Sequence, residues 1–439
     1  MDRLLEEADW SYADLARAVN RIGREMGHDL HYDRSAVGHW KRGIIPRKPA
    51  ARRAICEALS RRLRRPVTLA EAGLGESAGA KSKFGETDTV VAELVELGRA
   101  DMDPSRRGVM LSGLYSAALA VPGWADAEDR FARVRNDPHT RIGHVEVAAV
   151  RAMTEHISSL DDQFGGRMAR PLAAAFTVNT IAPYLTATAT DDVRKAMLSA
   201  ASDHLYLTGY MAMDERADRL ALRYYVKALE LARSAHDHLT YCTTLRGMSV
   251  QAVDLGDGNE AVRLAAAAAE AAPQAGPRMQ AFLSGQQAHA AAQTGDRSGA
   301  LLWIKHAEAT MERAESQAKA FGSYDPSSLA YHVGQVRFEL GDIKGSIEAL
   351  EEANRLREPV YRRARIRHSG MLAERKLRLG HLEEACQVWG GMLVDYPHVQ
   401  SGRCDDTVRR MMSGLRPHTR NGYARELYER GRQIVQATA

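Results

Sequence analysis

The sequence predicts an all-α chain: a small basic helical head, then a long α-solenoid of helix pairs. Three observations point there. Beyond residue 88 apolar positions recur at helical spacing and do not alternate as in a strand. A glycine-centred pattern repeats along the second half with a period of 39–46 residues. The charge is uneven: residues 1–75 carry 15 Lys/Arg against 10 Asp/Glu, while the other 364 carry 45 against 46.

In the head, "DRLLEEAD" reads as a first short helix with Leu4, Leu5 and Ala8 on one side. Ser11 opens a second, "SYADLARAVN", where Ser11 and Asp14 approximate a capping box. Ala13, Leu15, Ala16, Val19 and Ile22 form its buried stripe. A polar stretch with Gly23 and Gly27 leads to Tyr32. Asp33 is the N-cap of a helix over 34–42, Gly43 its C-cap signal, and Pro46 prevents an immediate restart. A fourth helix, Pro49–Leu63, buries Ile55, Leu59 and Leu63. Helix, turn and short second helix in basic surroundings form a helix-turn-helix pattern. Residues 34–65 contain 11 cations and one acid, Glu57. A patch of this kind suits a polyanion, a solvated basic face being the alternative.

"DRSAVGHWKRGIIP" is similar to the recognition-helix region of phage-repressor-like (XRE-type) regulators. Val37 and Trp40, three apart, match its core-facing positions. The departure is the long connector "RIGREMGHDLHY", where that family has a tight turn. With Val37 and Trp40 inward, Arg34, Ser35, Gly38 and His39 face outward. Arg34 is the best base reader, because its planar fork matches O6 and N7 of guanine; Ser35 and His39 are weaker ones. Lys41, Arg42 and Arg47 flank the helix and suit phosphates. Gly38 costs about 1 kcal/mol against alanine in a helix interior, which a close groove wall or sequence drift would explain equally. His28, His31 and His39 lack a carboxylate or cysteine at ligand spacing, so no metal is expected.

"GLGESAGAKSKFGET" reads as flexible, giving a head of 1–74 and a linker of 75–88. Residues 89–200 are expected as divergent helical pairs, with one helix ending at Gly165 and Gly166 and the next starting near Pro171. Residues 201–439 carry the repeat. Gly256, Gly295, Gly341 and Gly380 each end a helical run and precede Asp or His. Five residues on come Ala261, Ala300, Ser346 and Ala385, and seven further Ala268, Ala307, Ala353 and Met392. An earlier copy has Gly209, Ala221, Tyr225 and Ala228. This resembles the tetratricopeptide repeat, with longer helices or loops and with Lys376 and Met392 at degenerate positions of the last copies.

An XRE-like head on a tetratricopeptide-like body resembles a class of actinomycete transcriptional regulators, a likeness carried also by "LDDQFGG" and "RYYVKALELARSAHD". The resemblance implies repeats that dimerise and sense a small ligand or peptide, as in peptide-quorum regulators of Gram-positive bacteria, and a role in sporulation and antibiotic production. The first helix of each pair lines the concave face of a solenoid. Counting from the turn glycines places Tyr206, Tyr210, Arg246, His289, Tyr331, Gln335, Arg367 and Glu374 there, a set suited to a peptide or an organic carboxylate, a groove polar only because it is wet being the alternative.

No GxxxxGK[ST], HExxH or GxSxG occurs, so neither an enzyme nor a cofactor is expected. Cys56, Cys242, Cys386 and Cys404 stand singly, against both a disulfide framework and a zinc site. No long apolar run or leader pattern is present, and the expected compartment is the cytoplasm. The expected function is a sequence-specific DNA-binding transcriptional regulator, a repressor, acting as a homodimer on double-stranded DNA. The alternative is a repeat-based protein-interaction scaffold with an accessory DNA-binding head.

Overall fold

The computed structural model describes residues 2–25, 30–42, 44, 46, 48–63, 67, 72, 74, 86–103, 137–272, 275–314 and 324–438. They form two compact units, Met1–Arg135 and Asn136–Ala439. The fold is all-α apart from one short parallel pairing of β1 (Asp137–Arg141) with β2 (Ala187–Thr188). A two-residue strand is too short for alternation to show in sequence.

The first unit contains α1 (Asp2–Ala8), α2 (Tyr12–Glu25), α3 (Arg34–Lys41), α4 (Pro49–Leu63) and α5 (Glu86–Met102). Ser11 and Asp14 cap α2 reciprocally: the Ser11 amide donates to Asp14 Oδ2 at 3.0 Å and the Asp14 amide to Ser11 Oγ at 3.3 Å. Leu15, Val19 and Ile22 of α2, Val37 and Trp40 of α3, and Ile55 and Leu59 of α4 share one buried core. The helix expected over "SYADLARAVN" runs on to Glu25. Ile22 extends its buried stripe, and the bare Cα of Gly23 admits Leu30, which would sit 2.6 Å from any Cβ there. The connector to α3 is shorter than the sequence suggested. The expected linker is largely outside the described residues, and Glu86–Asp88 already belong to α5.

The second unit opens with α6 (His144–Phe164), α7 (Gly166–Phe176), a π-helical turn Thr177–Ile181 and α8 (Ala182–Thr186). α7 begins five residues before Pro171, which lies inside it, because Gly165 at φ +90° turns the chain in a single step. Next come the pairs α9 (Asp191–Asp214) with α10 (Asp218–Ser234), α11 (His238–Asp254) with α12 (Gly258–Glu270), and α13 (Pro277–Gln293) with α14 (Arg297–Glu312). The pairs α15 (Pro326–Glu339) with α16 (Ile343–Leu356) and α17 (Arg362–Arg378) with α18 (Leu382–Asp395) follow, then α19 (Gly402–Leu415) and α20 (Gly422–Thr438). The boundary expected at residue 200 falls inside α9; Gly209 lies within this helix and packs against Ala221 and Tyr225 of α10.

Gly256, Gly295, Gly341 and Gly380 all take φ between +77° and +87°, the left-handed turn that joins the helices of a pair. Asp257, Asp296 and Asp342 then cap the next helix, accepting from the amides of Glu260, Gly299 and Gly345. Ala261, Ala300, Ser346 and Ala385 are fully buried where the helices touch.

No sequence pattern announced how the solenoid ends. The segment around α19 returns to the beginning of the unit. The Gln400 amide donates to Phe164 O at 2.7 Å and the Arg167 amide to Gln400 O at 3.2 Å. A Cβ on Gly165 would lie 2.4 Å from Gln400 O, and one on Gly402 2.8 Å from Glu215 O. Arg363 of α17 reaches Asp161 and Asp162 of α6 and Asp214 of α9. No helix among the described residues is long and apolar enough to cross a membrane.

Candidate functional site

Two places in the molecule gather residues with chemistry to offer. One is the outer face of α3. Its start is fixed by Asp33, which accepts from the amides of Ser35 at 2.9 Å and Ala36 at 3.0 Å. The Ser35 hydroxyl also donates to Asp33 at 2.6 Å, and that bond leads the interactions holding the Asp33 carboxyl below its ordinary value. The inner side is anchored by Val37, fully buried, and Trp40, which meets Tyr32 edge-on with ring centres 5.0 Å apart. Asn20 of α2 clamps Tyr32 on both sides, its Nδ2 donating to Tyr32 O and its Oδ1 accepting from Tyr32 N. The buried side therefore sets the rotation of the helix.

That rotation leaves Arg34, Ser35, His39, Lys41 and Arg42 exposed on one short element. Among the described residues no carboxylate lies within 4 Å of Arg34. Among the described residues a Cβ at Gly38 would meet nothing within 4 Å, so none of their packing demands a glycine there. Lys41 Nζ lies 5.9 Å from the centre of the Tyr12 ring. Arg47 is outside the described residues. Arg62, part of the basic run that ends α4, donates to Ala8 O at 2.7 Å and so ties α4 to α1.

The other place is a cavity of about 320 Å³ inside the second unit. The wall brings together Gln335, Arg367 and Glu374 from the set expected on the concave face, and adds Asp254, Phe338, Arg375 and Arg403. The other expected residues are engaged elsewhere. Tyr206 is buried and stacked on Tyr225 at 6.0 Å. Arg363 covers Tyr210, its guanidinium 5.2 Å from the ring centre. Arg246 lies 3.9 Å over Phe282, and Tyr331 stacks on His368 at 4.5 Å. His289 is buried beside His332, and burial pushes its imidazole down to about 4 against the opposing pull of Asp254.

Charge dominates the cavity. Burial would raise Asp254, but Arg403, Arg367 and Arg216 hold its carboxyl below its ordinary value. Burial pushes the Arg375 guanidinium down to about 10, although it donates to Gln335 and lies 4.4 Å over Phe338. Arg216, Arg403 and Arg410 were not expected here from the sequence. Arg216 comes from the α9–α10 turn, and Arg403 and Arg410 come from α19, which the return of the chain end brings to the groove.

Residues 1–75 match the family profile described as the SP15 N-terminal domain. That match covers the head alone. No curated protein matches the chain.

Proposed function

We propose that this protein is a sequence-specific DNA-binding transcriptional regulator that reads its operator with α3 and carries a homodimerising, ligand-sensing repeat unit. The observation behind it is the outer face of α3. Arg34, Ser35 and His39 stand exposed at spacing 1 and 4, while Val37 and Trp40 lock the opposite side into the core. A short helix fixed by its inner face and exposed on its outer one is what a major groove accepts. Lys41 and Arg42 at its end are placed for phosphates. The concentration of cations in residues 34–65 adds the sequence-independent attraction that such binding uses. The resemblance to actinomycete regulators supports the same reading, with no catalytic role for either unit.

Chromatin immunoprecipitation with sequencing gives the operator and the controlled genes. On that operator, Arg34→Ala should cost about 1–3 kcal/mol and relax discrimination at one base. Lys41→Ala should weaken all sequences alike and flatten the salt dependence. Footprinting should show two half-sites about 34 Å apart, or a multiple of that, as paired heads require. If both variants bind as the parent does, α3 is not the reading helix; if the footprint is a single half-site, the dimer loses its support.

A further inference from the structure

The cavity wall carries six arginines, and three of them find acids in the structure. Arg403 pairs with Asp254 at 2.6 Å, Arg410 with Glu374 at 2.9 Å, and Arg216 with Asp406. Arg367, Arg375 and Arg378 line the same space with no carboxylate within 4 Å of any of them among the described residues. Arg375 is 4% exposed, and its hydrogen bonds run to neutral acceptors, Gln335 Oε1 and Gly334 O. Arg403, though paired on one side, keeps Nη1 buried without a hydrogen-bond partner. A buried cation without its counter-charge is costly, and interiors keep one only where something else supplies the charge.

We propose that this cavity binds a compact polyanion whose oxyanion groups, phosphoryl or carboxylate, engage Arg367, Arg375 and Arg378. Three observations argue for it. Counting Asp254, Glu339, Glu374 and the Asp406 paired with Arg216 against the six arginines leaves a formal excess of two positive charges at the wall. A volume of about 320 Å³ suits a small metabolite and not an extended peptide. Guanidinium forks pair bidentately with both phosphates and carboxylates. Phe338, lying 4.4 Å from the Arg375 guanidinium and 5.1 Å from that of Arg378, gives both a common platform.

The position adds a consequence. Arg403 and Arg410 come from α19, Arg216 from the turn after α9, and Arg367 from α17. An anion here neutralises charge across the seam where the end of the solenoid returns to its beginning. Its binding would favour the closed arrangement by mass action. The proposal deepens the sensory half of the regulator reading and rests on it for its biological role.

The test is calorimetric titration and thermal denaturation of the full chain without DNA. Sodium pyrophosphate and sodium citrate serve as separate probes, with ionic strength matched by sodium chloride. A saturable heat and a raised melting temperature with pyrophosphate alone assign phosphoryl groups; with citrate alone, carboxylates; with both, the shared oxyanion chemistry. Arg367→Ala should weaken binding by about tenfold to a hundredfold. Arg378→Ala, at an exposed position, should weaken it while leaving the melting temperature of the free protein unchanged. No binding of either probe to the folded protein overturns the proposal, as does unaltered binding by both variants. Since no DNA is present, failure here leaves the reading of α3 untouched, and failure of DNA binding leaves the cavity untouched.

Discussion

The two units use arginine in opposite ways. In the head, Arg34 and Arg42 stand on the surface with no carboxylate within 4 Å among the described residues. In the repeat unit, Arg170, Arg363 and Arg403 are at least nine-tenths buried and paired with Glu215, Asp161 and Asp254. The residue type is the same and the environment decides its task. An exposed guanidinium keeps its fork for a partner outside the molecule. A buried one fixes geometry inside, because each charge leaves the other nowhere else to go. All three buried pairs join segments distant in the sequence: Arg363 ties α17 to α6, and Arg403 ties α19 to α11.

The sharpest way to break this contrast is to remove one guanidinium from each class. Arg363→Ala leaves Asp161 and Asp214 buried at 2% and 1% exposure with their shared cation gone. Breaking a buried pair by removing one member costs about 3–5 kcal/mol. Arg34→Ala should change stability by less than about 0.5 kcal/mol. Urea unfolding of the two variants against the parent measures both. Equal, small effects would mean that the ion pairs holding α17 to α6 and α9 contribute little to stability.

A second contrast lies in titration, since the repeat unit buries four imidazoles, those of His204, His289, His332 and His368. His204 is fully buried between Thr154 Oγ1 and Ala173 O, each 3.0 Å away, and burial pushes its pKa down to about 4. The folded state therefore keeps His204 neutral where the unfolded chain, near 6.5, takes up a proton. Its contribution is intact above about pH 6.5 and is lost as pH falls toward 4. His204→Gln removes that proton uptake. Its stability deficit against the parent should shrink by up to about 1.4 kcal/mol per pH unit across that window. Asp203, which burial holds up at about 6, works in the opposite direction over part of the same range. Comparing variant with parent cancels it. Urea unfolding at pH 7.5, 6 and 5 reads the effect, and a constant deficit would mean that His204 titrates normally in the folded protein.

The same contrast explains what the sequence made legible. Asp33, Val37, Trp40 and the four turn glycines lie within a few residues of what they act on, so spacing alone identified them. Caps and left-handed turns are local events, and the positions of Ala261 or Ala300 follow once the turn is placed. Even Gly23 could be read only in part, because its partner Leu30 lies beyond the helix end. The cavity is different in kind. Arg403 is 149 positions from Asp254 in the sequence and meets it only because the end of the chain returns to the groove. Counting from the turn glycines found Gln335, Arg367 and Glu374, which sit on first helices. It could not tell that Tyr206 would be covered by Tyr225, since a groove position and a helix–helix contact share the same spacing.

Glycines within helices give the finest version of the comparison. In the repeat unit, a Cβ on Gly209 would lie 2.8 Å from the Tyr225 ring and one on Gly247 2.9 Å from Tyr206, so alanine there would force the helices apart. In the head, a Cβ on Gly38 meets nothing within 4 Å. Alanine is favoured over glycine in a helix interior by about 1 kcal/mol, and no contact among the described residues opposes the change. Gly38→Ala should therefore raise the thermal stability of the head while leaving the core around Val37 and Trp40 in place. Its effect on DNA is a separate measurement. If a groove wall lies against the backbone of α3, the added methyl occupies space that the wall needs, and operator affinity should fall several-fold although the protein is more stable. Anisotropy titration with the operator, run beside the melting curve, separates the two effects. A variant that gains stability and keeps full operator affinity would place the close approach elsewhere on α3 and leave Gly38 without a role in recognition.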